Sequence, residues 1–175
     1  LAADIIGIAP PMQVTPQLQR IFDNGTWVHK RYLKKYLLRM GIVAKVKDPK
    51  TGVDEFFIEM MLHDDQTWVK GSPDAVVINP EDGLPYIFEL KSIRDYNFKK
   101  LMQPEEAHIL QVHLYMMLLP EIPRAVIFYE SKDGQSTKEF TVLKSDALIK
   151  YLENRIALIQ KYVTEYPTTG LLQAG

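Results

Sequence analysis

The 175-residue chain contains no cysteine. That absence excludes disulfide scaffolds, thiolate metal sites, thiol nucleophiles and cysteine-ligated iron–sulfur clusters. Any metal must be held by oxygen or imidazole, which favours hard or borderline cations such as Mg²⁺ or Mn²⁺. Extended apolar segments are also missing. No uninterrupted apolar stretch reaches the ~18 residues expected of a membrane span, and the start lacks the charged-then-apolar order of a signal peptide. The expectation is a cytoplasmic protein with no membrane partner. Neither sign of charge dominates: a formal net charge of −1 is not that of a polycation coating nucleic acid. What is there, 46% hydrophobic and 25% charged residues, is ordinary for a globular protein. The length suits one domain, taken as residues 1–175.

Along the chain the pattern is α/β. Residues 1–14 carry the turn-rich "APPMQV" and are expected to be irregular. Thr15-Pro16 can open a helix, because threonine caps and proline suits the first turn. Leu18, Ile21, Phe22, Val28, Tyr32, Leu33, Tyr36, Leu37 and Met40 then recur at helical spacing until Gly41, with a break expected near Asn24-Gly25. "DPKTGVDE" is turn chemistry. "EFFIEMML" and "TWVKGSPDAVVIN" read as strands parted by "HDDQ", and "PYIFELKSI" as the next strand. A helix is expected from Pro104 to Leu119, then a hairpin of "RAVIFYES" and "KEFTVL" around Lys132–Gln135. A last helix should run from Ser145 to Glu165, with Leu148, Ile149, Leu152, Ile156, Ile159 and Val163 as its packing stripe. The basic residues Lys30, Arg31, Lys34, Lys35 and Arg39 cluster on the first helix, and Arg94, Lys99 and Lys100 follow the central strand. Such runs are solvated faces unless they border a site.

Acids inside apolar strands call for an explanation. Side chains alternate along a strand, so Glu89 and Lys91 share one face while Phe88 and Leu90 share the other. If "AVVIN" and "YIFEL" form a hairpin centred between Glu81 and Asp82, Asp74 lies across from Glu89. Cross-strand Cβ atoms then stand roughly 4.5–5.5 Å apart, whereas a one-residue slip would send the two acids to opposite faces. Two carboxylates that close repel, and a divalent cation between them or protonation of one resolves the conflict. The alternative is a salt bridge of Lys91 with Glu89 or Asp74 at an exposed sheet edge. Gln111 and Tyr115 stack four residues apart on the later helix, with His108 one turn earlier, as a catalytic stripe or merely a polar helix edge. His29 sits beside the apolar stripe of the first helix, as a ligand or as a hydrogen-bonded core histidine.

Pro73-Asp74, Glu89-Leu90-Lys91 and Gln111-Val112-His113-Leu114-Tyr115, in this order, resemble the PD-(D/E)XK nuclease superfamily. The last group resembles the QxxxY motif of its RecB-like and lambda-exonuclease-like branch, in whose RecB-like members a histidine placed like His29 also occurs. The resemblance covers roughly residues 16 to 142. It implies a restriction-endonuclease-like core, a central mixed sheet flanked by helices. It further implies that Asp74, Glu89, the Leu90 carbonyl and His29 hold Mg²⁺ or Mn²⁺, that Lys91 positions the attacking water, and that Gln111 and Tyr115 contact the nucleic-acid backbone or brace Lys91. The implied reaction is metal-dependent hydrolysis of DNA phosphodiester bonds. Within it, an exonuclease processing DNA ends in recombination, repair or replication is expected, with DNA as partner and a helicase or annealing protein beside it. The related CRISPR-associated exonucleases carry iron–sulfur cysteines that this chain lacks, so a stand-alone enzyme of a bacterial or phage-infected cell fits better. A catalytically silent nucleic-acid-binding or assembly subunit on the same fold, and an unrelated α/β domain with a structural ion cluster, are the other readings.

Overall fold

The structure, a computed structural model, describes residues 15–47 and 52–165. The expectations for residues 1–14 and for part of "DPKTGVDE" therefore lie outside the described residues, as do the side chains of Leu18, Ile21 and Phe22. The first element of the described residues is α1 (Pro16–Lys30), which runs unbroken through Asn24-Gly25. The irregularity comes later than expected, in a π-helical segment, Arg31–Leu37, followed by α2 (Leu38–Met40). The wider turn has a packing reason. Val28, Leu33 and Leu37 are the buried residues of this stretch, and the five-residue step from Val28 to Leu33 stays on one line only where the helix takes more than 3.6 residues per turn. Gly41 closes the segment in the left-handed region at φ +68°, its N–H bonded to the Leu38 carbonyl, a conformation that favours glycine.

The two strands expected over 55–62 and 67–79 are broken into shorter pieces. The first leaves β2 (Asp54–Phe56), which pairs with a strand that the sequence pattern does not predict, β1 (Lys45–Lys47). β3 (Leu62–Asp64) begins at its last residue and runs into the expected break "HDDQ". The second leaves β4 (Val69–Gly71), paired with β3, and β5 (Ala75–Ile78). Glu59, at φ +48°, kinks the first stretch, and Pro73 interrupts the second because it has no N–H to give a ladder. β6 (Pro85–Ile93), α3 (Asp95–Lys100), α4 (Glu106–Leu118), β7 (Arg124–Ser131), β8 (Thr137–Leu143) and α5 (Asp146–Glu165) follow.

β5, β6, β7 and β8 form a four-stranded sheet in that order. β5 and β6 are antiparallel, β6 and β7 parallel through the α3–α4 crossover, and β7 and β8 an antiparallel hairpin. The sheet is covered on both faces. Ile87, Ala125, Ile127 and Tyr129 pack with Val112, Tyr115 and Met116 of α4. Ala75, Val77, Phe88 and Leu90 pack with Val28, Leu33 and Leu37. This alternation is what a strand buried on both sides requires. Arg31 leaves the basic run to form an ion pair with Glu130, which is 2% exposed. Lys30, Lys34, Lys35 and Arg39 remain exposed. On α5 the expected stripe is only partly covered: Leu152 is buried, while Leu148, Ile149, Ile156, Ile159 and Val163 are half-buried. No helix among the described residues is long and apolar enough to cross a membrane.

Candidate active site

The β5–β6 register pairs Ala75 with Phe88 and Val76 with Ile87, so the hairpin has the anticipated centre and Asp74, one residue before β5, stands level with Glu89. Both acids are buried, at 6% and 4% exposure. Lys91 lies beyond the part of β6 that β5 pairs with, but its side chain is only 20% exposed and that of its Glu89 partner 5%, so the ion pair of the alternative reading is real but not on an exposed edge. Lys91 Nζ donates to Glu89 Oε1 and to Gln111 Oε1, both at 2.8 Å. Gln111 Nε2 donates to the Tyr115 hydroxyl at 2.8 Å, and that hydroxyl donates to the Ser72 carbonyl at 3.2 Å. The chain of bonds runs from α4 across to the loop that carries Asp74. Its order fixes the Gln111 amide with the oxygen toward Lys91, because an ammonium accepts nothing.

Asp74 is held from two sides. Its Oδ2 accepts the Leu90 backbone N–H at 2.6 Å, and its Oδ1 lies 3.0 Å from His29 Nδ1. Partnership with Asp74 raises the His29 pKa above the ordinary histidine value, against the opposing effect of burial. His29 is half-buried and bonded to buried Asp74, an arrangement open to both the ligand and the hydrogen-bonded core readings. The side chains of His29, Glu59 and Asp74 each offer a ligand atom, all within 4.8 Å of one another. Glu59 is not among the residues that the sequence singles out. Its signal is the same as that of Glu89, an acid inside an apolar run, and its left-handed backbone, a conformation costly for a side-chain-bearing residue, is tied down by an N–H bond to the Asp74 carbonyl at 3.0 Å. Glu89 lies outside that three-residue group. Its Oε2 is buried without a hydrogen-bond partner. Burial, reinforced by the Asp74 charge, pushes the Glu89 carboxyl up to about 7. A buried carboxylate oxygen without a donor is costly.

Two carboxylates and one imidazole form a donor set suited to a hard divalent cation, and the Glu89 carboxyl stands level with Asp74 on the neighbouring strand. The partnerless Glu89 Oε2 is an oxygen that such an ion would satisfy, so the residues present fit Mg²⁺ or Mn²⁺. A cavity of about 490 Å³ borders the cluster and is lined by His29, Lys30, Leu33, Lys34, Glu59 and Lys132. The next, about 540 Å³, shares Lys132 and adds Arg94. A larger cavity of about 630 Å³, walled by Tyr32, Tyr36, Phe88 and Phe128, contains none of the clustered acids. His108 reaches Tyr129 instead of lying on an outward helix edge. His113, inside the Gln111–Tyr115 stretch, is buried and structural: its Nδ1 bonds the Ile109 carbonyl and its Nε2 accepts the Ser145 N–H.

No family model matches the chain, and no curated protein matches it. Solved structures do. An alkaline exonuclease from Laribacter hongkongensis, LHK-Exo, is 15% identical with a TM-score of 0.58, over 94% of this chain and 85% of that one. The same exonuclease in complex with dAMP gives 15% identity and a TM-score of 0.62, over 93% and 74%. The structure of SSO0001 is also 15% identical, with a TM-score of 0.46, and the chain spans 59% of its length. The four-stranded mixed sheet flanked by helices is thus the fold shared with the alkaline exonuclease.

Proposed function

We propose that the chain is a metal-dependent deoxyribonuclease of the PD-(D/E)XK type, built as one nuclease domain and acting as an exonuclease on DNA ends in recombination, repair or replication. The observation that carries this reading is the buried, partnerless Glu89 Oε2 beside Asp74, on the same strand face as a lysine held at two points. The exonuclease fold supports it.

In this reading His29, Glu59, Asp74, Glu89 and the Leu90 carbonyl would hold Mg²⁺ or Mn²⁺. When bound, the ion supplies neutralisation of charge at the scissile phosphate and a lowered water pKa. Lys91 orients the attacking water and stabilises its hydroxide form, an electrostatic role that a preorganised ammonium performs without reorganising during the reaction. Gln111 keeps Lys91 in place, and Tyr115 keeps Gln111 in its amide orientation. Lys30 and Lys34, exposed at the rim of the cavity beside His29, contact phosphates of the incoming strand. A helicase or annealing protein supplying DNA ends, in a bacterial or phage-infected cytoplasm, is the working context.

The test is digestion of end-labelled single- and double-stranded DNA with Mg²⁺, Mn²⁺ or EDTA. Metal-dependent release of nucleotides that disappears in Asp74→Ala, Glu89→Ala and Lys91→Ala is expected, and the end released first reports polarity. Retained DNA binding with no cleavage under either metal would instead establish the silent binding subunit.

A further inference from the structure

His108 stands one turn before Gln111 on α4, and its environment determines its protonation. Its Nδ1 lies 2.7 Å from the Tyr129 hydroxyl, whose oxygen also accepts the Glu105 N–H at 3.1 Å. Tyr129 is fully buried and pairs with Lys91 in the parallel register of β6 and β7. A phenol has one proton to donate. Glu105 is already a donor to that oxygen, so among the described residues His108 Nδ1 is the acceptor that satisfies the buried hydroxyl. The imidazole therefore accepts at Nδ1 and carries its proton on Nε2. A second proton would place a donor on Nδ1 and turn the Tyr129 hydroxyl away from its acceptor.

The charged groups around the ring agree. Burial, then the positive charge of Lys91 on β6, hold His108 below the ordinary histidine range, while Glu105 before α4 pulls weakly the other way. His108 is half-buried, and its Nε2 is not among the buried atoms without a partner. Among the described residues nothing accepts from Nε2, and the ring stands on the same helix stripe as Gln111, which binds Lys91.

Resting on the nuclease reading, we propose that His108 is a further catalytic residue: a neutral donor whose Nε2–H, set by Tyr129, bonds a non-bridging phosphate oxygen of the strand held beside Lys91. No proton changes hands in this role. The bond strengthens as negative charge builds on the phosphate in the transition state, which is where a preorganised donor accelerates a reaction.

Single-turnover digestion with Mn²⁺, across about pH 6 to 9, distinguishes the outcomes in the wild type, His108→Gln, His108→Asn and Tyr129→Phe. A glutamine amide reaches the Nε2 position, so His108→Gln should stay within a few-fold of wild type. Asparagine reaches only the Nδ1 position and should lose on the order of 10²-fold, the loss typical of one missing transition-state donor. Tyr129→Phe releases the tautomer and should add an acid limb to the rate profile that the wild type lacks. Imidazole nitrogen NMR should show the Nε2–H form in the wild-type protein. Undiminished turnover in His108→Asn, an unchanged pH profile in Tyr129→Phe, or an Nδ1–H tautomer would each overturn the proposal while leaving the nuclease reading intact. A wild type that does not turn over would remove both.

Discussion

Replacing Gly71 by alanine tests how Lys91 is held in place. Gly71 closes β4, and its φ is unexceptional, so the constraint there is space and not backbone conformation. A Cβ at Gly71 would stand 2.7 Å from Tyr115 Cε1 and 3.4 Å from Cδ1. Carbon atoms in ordinary contact stand about 3.5–4.0 Å apart, so the ring must retreat by roughly 1 Å. Tyr115 is 6% exposed and packed in the sheet–α4 core, so the displacement is resisted. Overpacking of this kind costs about 1–3 kcal/mol. If the Tyr115 hydroxyl also loses Gln111 and Ser72, each bond adds about 0.5–1.5 kcal/mol. A total of roughly 2–6 kcal/mol lowers the melting temperature by about 4–24 °C in a chain of this size. The consequence for chemistry is larger than for folding. Without its Tyr115 partner the Gln111 amide can rotate, Lys91 loses one of its two acceptors, and a misplacement near 1 Å at a reacting group costs on the order of 10²-fold in rate. Thermal unfolding with metal-dependent DNA digestion measures both. Tyr115→Phe, which keeps the ring and removes only the hydroxyl, separates them: it should lose rate while losing no more than about 1–3 kcal/mol. Gly71→Ala melting like wild type with an undiminished rate would refute the reasoning.

The remaining predictions concern charge. In EDTA, Glu89 binds a proton more tightly folded than unfolded, its pKa moving from 4.5 to about 7, so stability is full below the unfolded value and falls as pH rises through about 7, by up to about 3 kcal/mol. The raised His29 pKa adds a loss of the same sign above 6.5. Urea unfolding at pH 5 and 8 should show the loss, Glu89→Gln should flatten most of it, and Mn²⁺ should offset it at pH 8; an equal slope in Glu89→Gln would count against the burial argument. Arg31→Met strands the Glu130 carboxylate in the interior and should cost about 3–5 kcal/mol by urea denaturation, whereas a change below about 1 kcal/mol would mean the pair behaves as a surface one. Glu59→Gln should weaken Mn²⁺ affinity in calorimetric titration while leaving the Lys91 bonds untouched; unchanged affinity removes Glu59 from the ligand set. The Lys30→Ala, Lys34→Ala double variant should bind DNA more weakly and with a shallower salt dependence, the log–log slope falling by about 1 for each phosphate that no longer meets a lysine; an unchanged slope would take both lysines off the DNA path.

β6 and β7 run over the residues their apolar runs predict, because a strand buried on both faces leaves a dense apolar signature that little else produces. The facing of Asp74 and Glu89 follows from alternation and a hairpin centre, and the i, i+4 pairing of Gln111 with Tyr115 from helix geometry. Breaks are less legible. Asn24-Gly25 looks like a helix interruption and is not one, since one glycine costs about 1 kcal/mol and tertiary packing can absorb that. The real irregularity, Arg31–Leu37, is set by which side chains the sheet has room to bury. Short strands around Glu59 and Pro73 likewise depend on partners distant in sequence.

Spacing and composition along the chain were enough to dictate the alternating pattern of the central strands, the lack of thiolate ligands and the order of the acids, lysine and glutamine. Those are local properties. It took the packed fold to bring Glu59 to His29 and Asp74, to draw Arg31 from the basic face to Glu130, and to let Tyr129 select the His108 tautomer. Each of these joins side chains on separate elements, and an electrostatic or hydrogen-bonding partner depends on distance and burial, which spacing along the chain does not encode.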